Sequence, residues 1–189
     1  MEHRTTRRPR PIAIVGLALL RAALAVFVAW PLVVVSGADG VIPDGVSVSV
    51  FDDALPAVGR LDPDLLDALR RAATDAEADG VRLRVNSGWR SPAYQRRLFS
   101  EAVVEHGSPE AAARWVSPPE TSAHVSGDAV DIGPSDAADW LAEHGDTYGL
   151  CRIYRNEPWH FERRPDAVDG GCPPMYADPS ERPGPRHDP

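Results

Sequence analysis

Leu65, Leu66, Leu69, Ala72, Ala73 and Ala76 recur at the spacing of one helical face, between an Asp62-Pro63 start and Gly80. An aspartate N-cap followed by proline at the first helical position is a strong helix start, so a core-facing amphipathic helix is predicted here. The pattern then changes period: Val81-Arg82-Leu83-Arg84-Val85 alternates apolar and charged residues, as a strand with one buried face does. Asn86 to Arg90 reads as a loop, and Ser91-Pro92 repeats the cap-plus-proline device. It starts a helix predicted to run to about Glu105, with Tyr94, Leu98 and Ala102 inward and Phe99 alongside. Ser108-Pro109 opens a shorter helix ending near Trp115.

Val116 to Ala123, with Pro118-Pro119, is a loop that delivers His124 to the start of a short strand over Asp128 to Ile132. Ser135 caps a further helix, Asp136 to His144, stopped by Gly145 and burying Trp140 and Leu141. Cys151 to Arg155 and Trp159 to Glu162 read as two strands joined by Asn156-Glu157-Pro158, where the proline cannot donate to a sheet ladder. Short strands interleaved with helices predict an α+β domain over residues 61–176. Residues 39–60 read as a spacer, with Val46 to Phe51 as a short edge strand within it, and the Pro-rich end 177–189 reads as disordered.

The N-terminal part has a different pattern. Arg4, Arg7, Arg8 and Arg10 precede Ile12 to Val35, an apolar run whose only charge is Arg21. One central arginine costs roughly 3 kcal/mol on insertion, and each Leu, Ile, Val or Phe returns about 0.3 to 0.6 kcal/mol. With fourteen of these in the run, insertion is favoured, and the arginine cluster puts that end in the cytoplasm and the remainder outside. Residues 1–38 are therefore expected to form a basic end plus a membrane anchor. Ser36-Gly37-Ala38 offers small residues for cleavage, so a removed signal and a secreted product is the alternative.

The chain has 189 residues, 43% of them hydrophobic, and a net charge of −8. Its basic residues are all arginine, a coding bias more than a function. Setting aside the five Arg and one Glu of residues 1–38 leaves the remainder at −12, with no basic stripe of the kind nucleic-acid binding needs. Both cysteines, Cys151 and Cys172, fall in the exported part. In an oxidising compartment the simplest reading is one disulfide, worth roughly 3 kcal/mol for a loop of that length. Neither lies in a CxxC, which argues against a cysteine zinc site.

Two segments concentrate chemistry: Ser122-Ala123-His124 running on to Asp131-Ile132, and Glu157-Pro158-Trp159-His160-Phe161-Glu162. Catalytic zinc takes three protein ligands and an open position, and two histidines with a carboxylate are one standard set. His124, Asp131 and His160 fit it, with Glu157 placed to serve as general base without being a ligand. No HExxH occurs, so the site is not of the thermolysin type. His106 and His144 each precede a glycine at a predicted helix end, where a structural role suits them. Ser126 lacks the context of a nucleophile elbow. Trp89 and Trp159 flank the candidate residues, and Glu162 is read as a partner of a ligand rather than a ligand.

Three segments in order, Ser87-Gly88-Trp89-Arg90-Ser91 with Gln95, Ser122-x-His124-x6-Asp131-Ile132, and Glu157-Pro158-Trp159-His160-Phe161-Glu162, resemble the VanY-type zinc D-alanyl-D-alanine carboxypeptidases over about residues 80–165. The resemblance implies zinc held by His124, Asp131 and His160, Glu157 as catalytic base, and Arg90 as the cation that polarises the scissile carbonyl and stabilises the oxyanion. It implies substrate-binding roles for Ser122 and Gln95. The implied fold is the small α+β one shared with Hedgehog signalling domains, an antiparallel sheet with helices packed outside. The implied substrate is the peptide stem of peptidoglycan, losing its terminal D-alanine. An endopeptidase of the same fold, and a catalytically silent zinc-containing wall-binding module, remain the alternatives.

Overall fold

The structure, a computed structural model, describes residues 36–182. The apolar run at 12–35 and the end of the tail at 183–189 lie outside the described residues. Among the described residues no helix is long and apolar enough to cross a membrane.

In chain order the elements are β1 (Val48–Ser49), α1 (Pro56–Gly59), α2 (Pro63–Ala78), β2 (Arg84–Ser87), α3 (Pro92–His106), α4 (Pro109–Ala112), α5 (Ala123–Ser126), β3 (Ala129–Gly133), α6 (Ser135–His144), β4 (Leu150–Arg152), β5 (His160–Arg163) and α7 (Ala167–Gly170). The strands form one five-stranded sheet in the order β1-β2-β3-β5-β4, antiparallel throughout. This is the α+β architecture the patterning predicts.

Helix α2 forms for the reason read from sequence. The Asp62 carboxylate accepts from the backbone N–H groups of Asp64 and Leu65 at 3.0 and 3.1 Å, and Leu65, Leu66, Leu69, Ala72, Ala73 and Ala76 are all buried. They pack with Leu141 of α6 against Val85, Val130, Ile132 and Phe161, so the main core lies on one face of the sheet. Strand β3 is buried along its whole length: Val130 and Ile132 share a core with α2 and α6 on one face, and α5 and the Arg90 side chain lie against the other.

Several boundaries move. The predicted strand at 81–85 starts later: the Val81 N–H closes the end of α2 by donating to the Ala76 carbonyl, and pairing begins only where Arg84 meets Ser49. In α3 the fully buried residues are Gln95 and Ala102, while Tyr94, Leu98 and Phe99 are half-buried. Leu98 and Ala102 line an open cleft, so this helix covers a site more than a core.

Residues 39–60 are not a spacer. The edge strand expected within them is β1, and Val50 and Val58 are buried in the main core. The Asp39 carboxylate accepts from Ser91 Oγ at 2.8 Å, tying this stretch to the start of α3. Enough apolar side chains recur in it to anchor it, although they show no single periodicity. The tail also holds its course further than its composition suggests. Asp178 is buried, and the 3-10 turn Pro179–Glu181 is capped by Asp178, which accepts from Ser180 N at 3.0 Å. Cys151 and Cys172 are disulfide-bonded, as the compartment argument anticipates.

Candidate active site

The polar residues of the site stand side by side on three neighbouring strands. Asp131 of β3 lies directly opposite His160 of β5 and, on its other side, opposite Ser87 of β2. Because side chains alternate along a strand, Val130 and Ile132 enter the core while Asp131 faces away, and Phe161 enters it while His160 and Glu162 face away. The β2–β3 register shifts between Val85 and Ser87. That bulge lets core-facing Val85 be followed two residues later by Ser87 on the site face, a reorientation regular pairing forbids.

His124 comes from α5, a four-residue helix rather than the loop end expected, closed by Gly127 at φ 86°. Its ring is fixed by the chain at Gly88. His124 Nδ1 lies 2.8 Å from the Gly88 carbonyl, which only accepts, so Nδ1 carries the hydrogen and Nε2 is left with its lone pair. A Cβ on Gly88 would come within 2.0 Å of the Ala57 carbonyl oxygen, so only glycine allows this approach. The Arg90 N–H donates to the His124 carbonyl at 3.0 Å, locking the two segments together.

His160 is oriented in the complementary sense. Its Nε2 faces Glu162 Oε1 at 3.1 Å, a carboxylate that accepts, which leaves Nδ1 directed at the other site residues. His124 Nε2, His160 Nδ1 and Asp131 Oδ1 then converge, at 3.2 Å between the imidazoles, 3.2 Å from His160 to Asp131 and 3.4 Å from His124 to Asp131. All three residues are buried. Metal–ligand bonds of about 2.0–2.1 Å arranged tetrahedrally require ligand atoms about 3.3–3.4 Å apart. Three electron-pair donors at that spacing, buried at the wall of an open cleft, suit a divalent cation of the zinc type. The residues present fit the metal.

Electrostatics agree. Burial works against charge on His160, but the hydrogen bonds to Asp131 and Glu162 outweigh it and raise its pKa to about 9. In the metal-free protein a proton therefore takes the place a metal ion would hold. Burial also works to raise the pKa of Asp131, yet His124, His160 and Arg90 hold its carboxyl well below the ordinary value. Burial, with help from Arg90, lowers the pKa of His124 and keeps that imidazole neutral enough to serve as a ligand.

Glu157 sits beside this cluster without joining it. Its Oε2 is 3.7 Å from His160 Nδ1, and burial pushes its pKa up to about 7, with the negative charge of Asp131 acting in the same direction. The geometry comes from a tight turn: the His160 N–H donates to the Glu157 carbonyl at 3.1 Å, with Pro158 at the position that favours proline. This turn brings two residues three apart onto one side.

Arg90 is held on three sides. Its Nε donates to Ser87 Oγ at 2.8 Å, Nη1 to Gln95 Oε1 at 3.2 Å and Nη2 to Asp131 Oδ2 at 2.9 Å. A guanidinium has five N–H groups, so two remain to face the cleft. Gln95, expected to bind substrate, has both amide atoms committed within the protein: Oε1 takes Arg90, and Nε2 donates to the Ser117 carbonyl at 2.8 Å. In this structure it orients Arg90. Ser122 lines the cleft with Trp159, as does Trp115, which stacks on His106 at 5.6 Å between ring centroids. His144 keeps the structural role expected of it, stacking on Trp140 and bonding the Trp140 carbonyl at 2.9 Å.

Residues 59–165 match the family model described as VanY, D-alanyl-D-alanine carboxypeptidase. This chain belongs to the VanY family. A D-alanyl-D-alanine carboxypeptidase of Enterococcus faecalis is 34% identical over 123 residues, which is 52% of this chain and 43% of the relative. The matched region thus spans less than half of that relative's length. Among solved structures, a variant of the vancomycin-resistance D,D-pentapeptidase VanY from a VanB-type resistance cassette, in complex with Zn(II), is 29% identical with a TM-score of 0.53, covering 59% of this chain and 80% of that one. VanYB in complex with D-alanine-D-alanine is 27% identical at a TM-score of 0.54, over 59% of this chain and 74% of that one. The LD-carboxypeptidase LdcB, 24% identical at 0.55 over 70% of each chain, shares the fold.

The site residues are thus distributed around one cleft of about 600 Å³. Sequence reasoning singled out His124, Asp131 and His160, which the structure brings together, and Glu157 and Arg90, which lie beside them. It did not find the Gly88 carbonyl that orients His124, Arg164 and Arg182 behind Glu162, or Tyr154, whose buried ring lies 4.9 Å from that of His160. Backbone acceptors and arginines arriving from distant segments carry no local motif; the Ser87-Gly88 step, with a glycine against a strand end, was the one available signal.

Proposed function

We propose that this protein is a zinc-dependent D,D-carboxypeptidase that removes the terminal D-alanine from peptidoglycan stem peptides outside the cytoplasm. The observation that carries this reading is the buried triangle of His124 Nε2, His160 Nδ1 and Asp131 Oδ1 with the Glu157 carboxyl beside it. Zinc bound there supplies Lewis acidity, making water ionisable near neutral pH and polarising a carbonyl. Glu157 takes the proton from the attacking water and passes it to the leaving amine, a task for which a carboxyl raised to about 7 is matched. Arg90 offers its two uncommitted N–H groups to the oxyanion, held in place by Ser87, Gln95 and Asp131 so that it need not reorganise during the reaction. Ser122 and Trp159 line the path by which the stem peptide enters.

The basic cluster before the run at 12–35 supports export with the N-terminal segment as a membrane anchor, the cleaved and secreted form being its alternative. The disulfide supports an oxidising compartment. A second reading has a specific observation behind it: the cleft continues past the metal residues along α3 to Glu105, His106 and Trp115, room for a substrate longer than a terminal dipeptide. That favours an endopeptidase as the alternative activity.

Purified protein loaded with zinc, incubated with defined pentapeptide stems and cross-linked muropeptides, decides between them by mass spectrometry. Release of one D-alanine per stem is the expected product. Cleavage within the cross-link would replace it with the endopeptidase, and binding of both metal and stem with no cleavage would make the protein a wall-binding module.

A further inference from the structure

The family match ends at residue 165, but the chain that follows returns to the site. Cys172 is bonded to Cys151 at the sheet edge. The backbone of Tyr176 then runs beside that of Tyr154: its N–H donates to the Ile153 carbonyl at 3.0 Å, and its own carbonyl accepts from Arg155 at 3.0 Å. Asp178 accepts from Arg114 Nε at 3.0 Å, and Pro179 reaches the cleft wall. Arg182 finally places Nη1 2.5 Å from Glu162 Oε1.

That oxygen is the one facing His160 Nε2 at 3.1 Å, while the other, Oε2, accepts from Arg164 at 2.7 Å. Glu162 is wholly buried, so its orientation is set by these partners and not by solvent. A carboxylate that accepts from an imidazole fixes which ring nitrogen carries the hydrogen and which way the ring points. Whatever fixes the carboxylate therefore fixes the imidazole.

We propose that the segment 172–182 is a working part of the metal centre, with Arg182 as a positioning residue that acts on His160 through Glu162. This rests on the zinc reading above. The segment lies beyond the residues that the family model matches, and it is stapled at one end by the disulfide and at the other by Arg182. The two arginines are not equivalent. Arg182 pins the oxygen that His160 uses, and Arg164 pins the opposite one.

The test is the zinc dissociation constant of the full chain, measured by competition with a chelating dye, for the parent protein and for Arg182→Ala, Arg182→Lys, Arg164→Ala and, as a control distant from the site, Arg71→Ala. Arg182→Ala is expected to weaken zinc binding about tenfold, at the low end of what loss of a ligand's supporting partner causes. Arg182→Lys is expected to recover most of this loss, Arg164→Ala to weaken binding less than Arg182→Ala does, and Arg71→Ala to leave it unchanged. On zinc-saturated Arg182→Ala, kcat should fall with KM unchanged. If Arg182→Ala fails to fold, Arg182→Met, which keeps the length of the side chain without its charge or hydrogen bond to Glu162, carries the same expected tenfold loss. A parent protein that binds no zinc overturns the zinc reading itself. A parent that binds it, with Arg182→Ala within twofold of that value or Arg182→Lys no better than Arg182→Ala, overturns this inference alone.

Discussion

Strands β3 and β5 present two opposite faces made from alternate residues of the same chain. One carries Val130, Ile132 and Phe161 into a core shared with α2 and α6, and the other carries Asp131, His160 and Glu162 into the site. On the apolar face, residues are interchangeable in kind: each adds buried area, and stability grows with the sum. On the polar face they are not, because each buried charge there is tolerated only through a named partner at a fixed distance. The difference teaches where function can be damaged without damage to the fold. Isosteric substitutions on the polar face that leave no buried charge without its partner should change chemistry with little change in stability, and those on the apolar face should do the reverse.

The largest expected effect tests the polar face. Glu157→Gln keeps the shape of the side chain and removes its ability to take a proton. Turnover should fall about 10²- to 10⁴-fold, the range attributed to a general base, while zinc still binds at one ion per chain and the unfolding temperature stays near that of the parent. Turnover within threefold of the parent would remove Glu157 from the mechanism.

Next comes the apolar face. Phe161 is fully buried between the two site residues His160 and Glu162, so it is the position at which the two faces are hardest to separate. Phe161→Ala is expected to cost about 3–5 kcal/mol of stability, seen in chemical denaturation of the zinc-free protein. In the molecules that remain folded, kcat should stay within a few-fold of the parent. A large loss of kcat at a temperature where the variant is folded would break the comparison and show that the core also sets the position of the metal residues.

What sequence disclosed divides along the same line. The apolar face was legible because periodicity reports burial directly: Leu65 to Ala76 at helical spacing became α2, and Val130, Ile132 and Phe161, alternating with Asp131 and His160, became core. The residue types on the polar face were legible because few chemistries bring together two histidines and two carboxylates. The connections between them were not. The bulge between Val85 and Ser87, the Gly88 carbonyl under His124 and the return of Arg182 to Glu162 are tertiary pairings, which no local pattern encodes. Residues 39–60 differ from a spacer for a related reason, since Val50 and Val58 are buried in the main core without a periodic face of their own.

The smallest expected effect sharpens the comparison on the polar face alone. In the zinc-free protein His160 holds a proton up to about pH 9, while His124 is kept neutral and Asp131 ionised. Zinc must displace the proton on His160 to bind there, so below about pH 9 metal and proton compete for the same lone pair. The sign follows: apparent zinc affinity should weaken as pH falls, by about tenfold or 1.4 kcal/mol for each unit between about pH 8 and pH 6. About one proton per ion should be released, which calorimetry in buffers of different ionisation enthalpy measures directly. Glu162→Gln removes one of the two carboxylates that hold this proton, so it should lower the pKa of His160 and flatten the upper part of that slope. A zinc affinity independent of pH across the range would mean that no protonated ligand stands in the way. His160 Nδ1 would then not be the atom that receives the metal.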